Sequence, residues 1–79
     1  DLRERILDVA EAQFSRHGYD AVSTRAVARA VGATSAMIHY YFNTKRELFD
    51  AVFARRADII NVERMAALDA EKYLDSVGG

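Results

Sequence analysis

Residues 23 to 48 read STRAVARAVGATSAMIHYYFNTKREL, and the punctuation of this stretch decides the fold. Ser23 is a good N-cap, and Ala26, Val27, Ala30 and Val31 supply a buried face, which predicts a helix over roughly Thr24 to Val31. Gly32 ends that helix and Ala33 completes the turn. Thr34 then caps a second short helix over Ser35 to Tyr41, with Ile38 and Phe42 facing inward and Met37 or Tyr41 at the edge. The small alanines let two helices cross closely. Ser35, Ala36 and His39 form the outward face of the first turn, slim enough to enter a groove about 12 Å wide. Two short helices about a glycine turn, meeting a third capped helix, have the geometry of a helix-turn-helix, the device that lays one helix in the DNA major groove.

Working outward, Leu2, Ile6, Val9, Ala10 and Phe14 recur at steps of three and four and predict a first helix over Leu2 to Arg16. Asp1 can cap it, with Glu4 and Asp8 near the positive end of its dipole. Gly18 supplies the left-handed stop, and His17 helps to finish the helix, where a partial positive charge is favourable. Tyr19 and Val22 are expected to turn back onto the core. Downstream, Thr44-Lys45-Arg46-Glu47 is a capping box and opens a fourth helix with Leu48, Phe49, Val52, Phe53, Ile59, Ile60, Met65 and Leu68 as its apolar positions. One helix of about thirty residues is possible but long for a small domain, so of the two arrangements a break near Asp58 to Val62, with Asn61 as a cap, is favoured. The closing Gly78-Gly79 pair is expected to fray. Arg55, Arg56, Asp58, Glu63, Arg64, Asp69, Glu71, Lys72 and Asp75 mix both signs and read as an exposed face or a partner surface.

Seventy-nine residues make one small domain, and the absence of cysteine excludes disulfide staples and thiolate metal sites. The two histidines are scattered, so no metal and no other cofactor is expected. Proline is absent and glycine is rare, which favours an all-α chain. No apolar run approaches the 18 or so residues that span a bilayer, and no secretory pattern opens the sequence. An intracellular, soluble protein without a membrane partner is expected. There is no nucleophile beside a base, no phosphate-cradling glycine loop and no metal-ligand cluster, so the chain does not read as an enzyme.

The net charge of −1 appears wrong for a nucleic-acid binder until its distribution is considered. From Arg16 to Arg46 the cations Arg16, Arg25, Arg29, Lys45 and Arg46 face Asp20 alone, a net of +4, whereas the first fifteen residues carry −2 and the segment from Glu47 carries −3. With a screening length of about 8 Å, a local basic face attracts phosphate whatever the distant acids do.

The ordered series Phe14 with His17-Gly18-Tyr19 three residues on, Ser23-Thr24-Arg25 with Val27-Ala28, Val31-Gly32-Ala33, Ile38-His39-Tyr40-Tyr41-Phe42 and Lys45-Arg46-Glu47-Leu48 resembles the amino-terminal domain of the TetR family of bacterial transcriptional repressors. The resemblance covers about Ile6 to Phe53. It implies a three-helix, homeodomain-like helix-turn-helix bundle over residues 1–57 that includes the start of a fourth helix. Residues 58–79 would begin a helical regulatory and dimerisation region. It also implies that Thr24 and Arg25 touch phosphate and a base edge, and that Ser35, Ala36, Met37 and His39 face the major groove. Tyr40 and Tyr41 would sit at its rim, and Lys45 would hold a phosphate at the start of helix four. The implied partners are double-stranded DNA carrying a palindromic operator and a second copy of the chain. A small-molecule effector is implied only where a carboxy-terminal domain exists. The place of action would be the bacterial cytoplasm, on the nucleoid. His39 stands where tyrosine is more usual, and Asn43 where proline or glycine is common.

Plainer readings stand beside these. Thr34 is first a cap, whose hydroxyl can also reach phosphate. Met37 divides between core filler and contact with a thymine methyl, and Arg29 between backbone contact and a solvated face. Tyr40, Tyr41 and Phe42 span about 200° of a helix, so at least one must point outward. A lysine set against the positive end of a dipole, as Lys45 is, makes best sense with phosphate between. The alternative function is a helical interaction module in which Leu48 to Leu74 docks a protein and the front half supports it.

Overall fold

The computed structural model describes the backbone of residues 1–78 and the side chains of residues 1–69. The chain forms four α-helices in the order α1 (Leu2–His17), α2 (Thr24–Val31), α3 (Ser35–Tyr41) and α4 (Lys45–Gly78). Each start is fixed by an oxygen that accepts an orphan amide. Asp1 Oδ1 takes the Arg3 amide at 2.9 Å, Ser23 Oγ that of Ala26 at 3.0 Å, Thr34 Oγ1 that of Met37 at 3.2 Å and Thr44 Oγ1 that of Glu47 at 3.0 Å. The Glu47 carboxylate reaches back to the Asn43 amide at 2.9 Å, so the box closes one residue earlier than its usual form.

Gly32 stands at φ 83° and ψ 29°, in the left-handed region that side chains avoid. The Ala33 amide returns to the Ala28 carbonyl at 2.9 Å and the Gly32 amide to that of Arg29 at 3.3 Å, which closes α2 as a Schellman turn and points the chain into α3. Gly18, at φ 85° and ψ 165°, ends α1 with a positive φ but an extended ψ, and the residues that follow return to α1, with Tyr19 stacked on Phe14 at 5.9 Å and Val22 in the core.

The core is one cluster. Ile6, Leu7, Ala10 and Phe14 of α1 meet Val27, Ala28 and Val31 of α2, Ile38 and Phe42 at the end of α3, and Leu48 and Val52 of α4, with Val22 from the connecting loop. Helix α2 packs between α1 and α3, and the first turns of α4 pack on α1. This differs from the sequence expectation in two places. Leu7 is buried, because α1 covers two neighbours and needs a wider apolar arc than one stripe. On α2 the buried arc is Val27, Ala28 and Val31, leaving Ala26 half-buried and Ala30 exposed, because the helix presents its face to α1 and α3 together.

The larger difference is in α4, where the expected break at Asp58 to Val62 does not occur and one helix runs through. Asn61 inside a helix costs at most about 0.7 kcal/mol, whereas a break would strand backbone groups with no glycine or proline to ease the turn. Length is tolerated because the described far half packs on no other helix of the chain. Phe53, Ile59, Ile60, Val62, Met65 and Leu68 are all exposed. The expectations for Glu71, Lys72, Asp75 and Gly79 lie outside the residues so described.

A second correction concerns Arg55, expected on an exposed mixed face. Its side chain is only 21% exposed and its guanidinium meets Asp8 at 2.9 Å, Glu4 at 3.1 Å and Glu11 at 3.4 Å. Desolvation alone would lower the Arg55 pKa, but hydrogen bonds to Asp8 and Glu4, with the attraction of Asp8 and Glu11, hold it above the ordinary value. This contact pins α4 to α1.

Candidate nucleic-acid interface

Helix α3 is short enough that one angle organises it. At about 100° per residue, Ala36 and Tyr40 lie opposite the buried Ile38, Met37 and Tyr41 occupy one flank, and Ser35 and His39 the other. Exposure follows: Tyr40 is 83% exposed and Met37 43%, Ala36 and His39 are exposed, Tyr41 lies at the border and Ser35 is half-buried. The crest is therefore Ala36 and Tyr40, rather than the Ser35, Ala36 and His39 face expected from the sequence. A methyl group at the leading turn lets the helix backbone approach a surface closely, while the Tyr40 ring, edge-on to Tyr41 at 5.0 Å, forms the far shoulder.

His39 is oriented by the loop that follows it. Its Nδ1 lies 3.0 Å from the Asn43 carbonyl, and since a carbonyl only accepts, Nδ1 carries a proton and Nε2 is the atom left for another partner. Thr34 is a cap, as its bond to Met37 shows, and its hydroxyl proton remains available.

Around this face the cations are unequal. Arg25 and Arg29 on α2 are exposed, with Thr24 half-buried beneath them because it falls on the Val27–Val31 arc. Arg46 is partly offset by Asp50 at 3.0 Å. Lys45 is drawn inward, where Nζ donates to the Tyr19 carbonyl at 2.9 Å and lies 4.2 Å from the Tyr19 ring centroid. From behind, the Arg5 guanidinium donates to the Val31 carbonyl at 3.0 Å and so ties α1 to the turn between α2 and α3.

Sequence reasoning missed Tyr19, Arg5 and Arg55 as participants. For Arg55 a signal existed, since Glu4, Asp8 and Glu11 at spacings of four and three make an acidic stripe beside a core face. Tyr19 was legible as a core-facing aromatic but not as a partner of Lys45, and Arg5 gave no signal, because both contacts involve a backbone carbonyl whose placement depends on the tertiary turn. Among the described residues, no group of acids, histidines or cysteines is arranged to hold a metal, and no helix is long and apolar enough to cross a membrane.

A capped helix held by one buried isoleucine, braced by a second helix across a left-handed glycine, is a helix-turn-helix of the type that presents its last helix outward. The family model for bacterial regulatory proteins of the tetR family matches residues 6–52, more than half of the chain. The chain belongs to the TetR family, and its helix-turn-helix is that family's amino-terminal DNA-binding domain. Among its relatives is the HTH-type transcriptional repressor Rv1474c of Mycobacterium tuberculosis, 36% identical over 75 residues that cover 95% of this chain and 37% of that protein. AcnR of Corynebacterium glutamicum, an HTH-type transcriptional repressor, is 32% identical over 81 residues, covering 90% of this chain and 43% of its own length. QacR of Staphylococcus aureus, an HTH-type transcriptional regulator, is 30% identical over 63 residues, 80% of this chain and 30% of the relative. The chain thus spans less than half the length of these three relatives. No solved structure matches it.

Proposed function

We propose that this chain is the sequence-reading head of a bacterial transcriptional repressor that binds a palindromic operator as a dimer. The observation that carries the reading is the face of α3, where Ala36, Met37, His39 and Tyr40 are exposed together with Arg25 and Arg29. In this reading α3 enters the major groove with Ala36 closest to the base edges, Met37 against a thymine methyl and His39 Nε2 against a base edge. Ser35, half-buried, reads from the groove wall. Tyr40, Tyr41, Thr24, Arg25 and the Thr34 hydroxyl engage phosphates along both rims, and Lys45 engages one at the start of α4.

Two copies would place two α3 helices one helical turn apart, which a palindromic operator matches. Occupying promoter DNA would repress transcription, on the nucleoid and in the cytoplasm. The exposed apolar residues Ile59, Val62, Met65 and Leu68 support a reading in which this part of α4 is covered by further helices of a regulatory region. A small-molecule effector bound there would shift α4 and release the operator.

Selection of bound duplexes from a random pool tests the proposal: a palindromic consensus is expected, and a pool without enrichment would exclude sequence reading. Met37→Ala should change the consensus at one position per half-site, with discrimination there falling by about 1 kcal/mol. A uniform loss across all sequences would instead show that Met37 serves the fold.

A further inference from the structure

Of the five cations between Arg16 and Arg46, Lys45 is the one that is half-buried. Its place is unfavourable in isolation, because it is the first residue of α4, at the positive end of the helix dipole. Two parts of Tyr19 offset this. The Tyr19 carbonyl accepts from Nζ at 2.9 Å, and the ring carries the ammonium 4.2 Å from its centroid. That ring is itself fixed, stacked on Phe14 at 5.9 Å and edge-on to Phe49 at 5.2 Å. The Gly18 turn, at positive φ, delivers Tyr19 to this place directly from the end of α1.

We propose that Tyr19 is a positioning residue for DNA binding, one that holds the Lys45 ammonium beside the loop leading into α2 with two of its N–H donors free for phosphate. The inference rests on the DNA reading above. An ammonium has three donors, and the Tyr19 carbonyl takes one. A free surface lysine loses rotamer freedom when it meets phosphate, whereas a lysine already held has lost it in folding. The start of α4 is thereby joined to the loop before α2. Tyr19 accordingly changes affinity without changing the number of phosphates neutralised. Lys45 changes that number.

The test is affinity for a mixed-sequence DNA duplex across a salt series, with the protein and its K45A, Y19L and Y19F variants. K45A should lower the log–log slope by about one. Y19L should bind roughly threefold to tenfold more weakly at unchanged slope. Y19F, which keeps both the ring and the backbone carbonyl, should bind like the parent. Independently of any variant, NMR of the unmodified protein should show the Lys45 ε-methylene protons shifted upfield by the Tyr19 ring, with and without DNA. Unshifted protons overturn the proposal even if Y19L fails to fold. It is equally overturned if folded Y19L binds like the parent, or if K45A leaves the slope unchanged; in either case DNA binding by the parent would leave the broader reading intact. Absence of salt-dependent binding by the parent would defeat both.

Discussion

At the seam of α1 and α4 one guanidinium answers three carboxylates. Arg55 sits 44 to 51 residues from its partners in sequence, yet its two terminal nitrogens reach Glu4, Asp8 and Glu11 on successive turns of α1. Arg55→Met keeps most of the aliphatic stem and removes the charge, leaving three acids facing one another. Because the Glu4 and Asp8 side chains are 52% and 70% exposed, water compensates part of the loss. A destabilisation of about 1–2 kcal/mol is expected in urea unfolding, below the roughly 3–5 kcal/mol of a fully buried pair. An unchanged midpoint would mean that the three contacts contribute nothing net. The acidic stripe was legible in the sequence, but its counter-ion was not. Several arginines were available, and the choice among them depends on the angle at which α4 crosses α1. Positions within α3 were more legible: Ile38 and Phe42 faced inward as expected, while the Ser35 side chain is drawn half under because it stands only about 60° from Ile38.

At the scale of helices, α2 and α3 were readable to the residue because each is bounded by chemistry that admits few alternatives, a hydroxyl cap before and a glycine or aromatic stop after. Gly32→Ala isolates that effect. A methyl group there would meet nothing within 4 Å, so its cost is the left-handed conformation alone, about 1–2 kcal/mol by thermal unfolding. Gly32→Asn should cost less, since asparagine tolerates that region, and an equal loss in both would refute the conformational account. Helix α4 was misread for the opposite reason. Its interior has no glycine or proline, and the expectation of a break came from typical helix lengths, with Asn61, only a weak helix former, as the cap. The first turns of α4 are tied to α1 by Leu48, Val52 and Arg55, whereas the exposed stretch from Ile60 to Leu68 relies on helix propensity. Amide hydrogen exchange should therefore show strong protection for residues 48–56. Exchange at 60–68 should be at least about a hundredfold faster, since local opening there breaks few tertiary contacts. Uniform protection along the helix would show that a partner covers it.

For the molecule as a whole, the total charge of −1 says little and its sidedness says much. The cations Arg16, Arg25, Arg29, Lys45 and Arg46 fall within one segment of the chain, while Glu4, Asp8 and Glu11 are gathered onto Arg55 at the seam of α1 and α4. The double variant Glu63→Lys with Asp69→Lys would raise the net charge to +3 while altering only exposed positions of the distal helix. Its salt slope for DNA should stay within about half a unit of the parent, whereas Arg25→Ala alone should lower the slope by about one. If the slope instead followed the total charge, the account of a local phosphate-facing surface would fail.

The acids gathered around one arginine have a last consequence for how the molecule meets a polyanion. Glu4, Asp8 and Glu11 against Arg55, with Arg3 a further partner of Glu4 at 3.6 Å, leave that cluster with one net negative charge, whereas Arg25 and Arg29 on α2 are exposed cations. An acidic cluster on one side and cations on the other would give the protein a dipole moment, on which the field near a duplex would exert a torque as it diffuses. Encounters that begin broadside or backward would then be turned toward the groove before contact, and rotational search would be shortened by residues that never touch the nucleic acid.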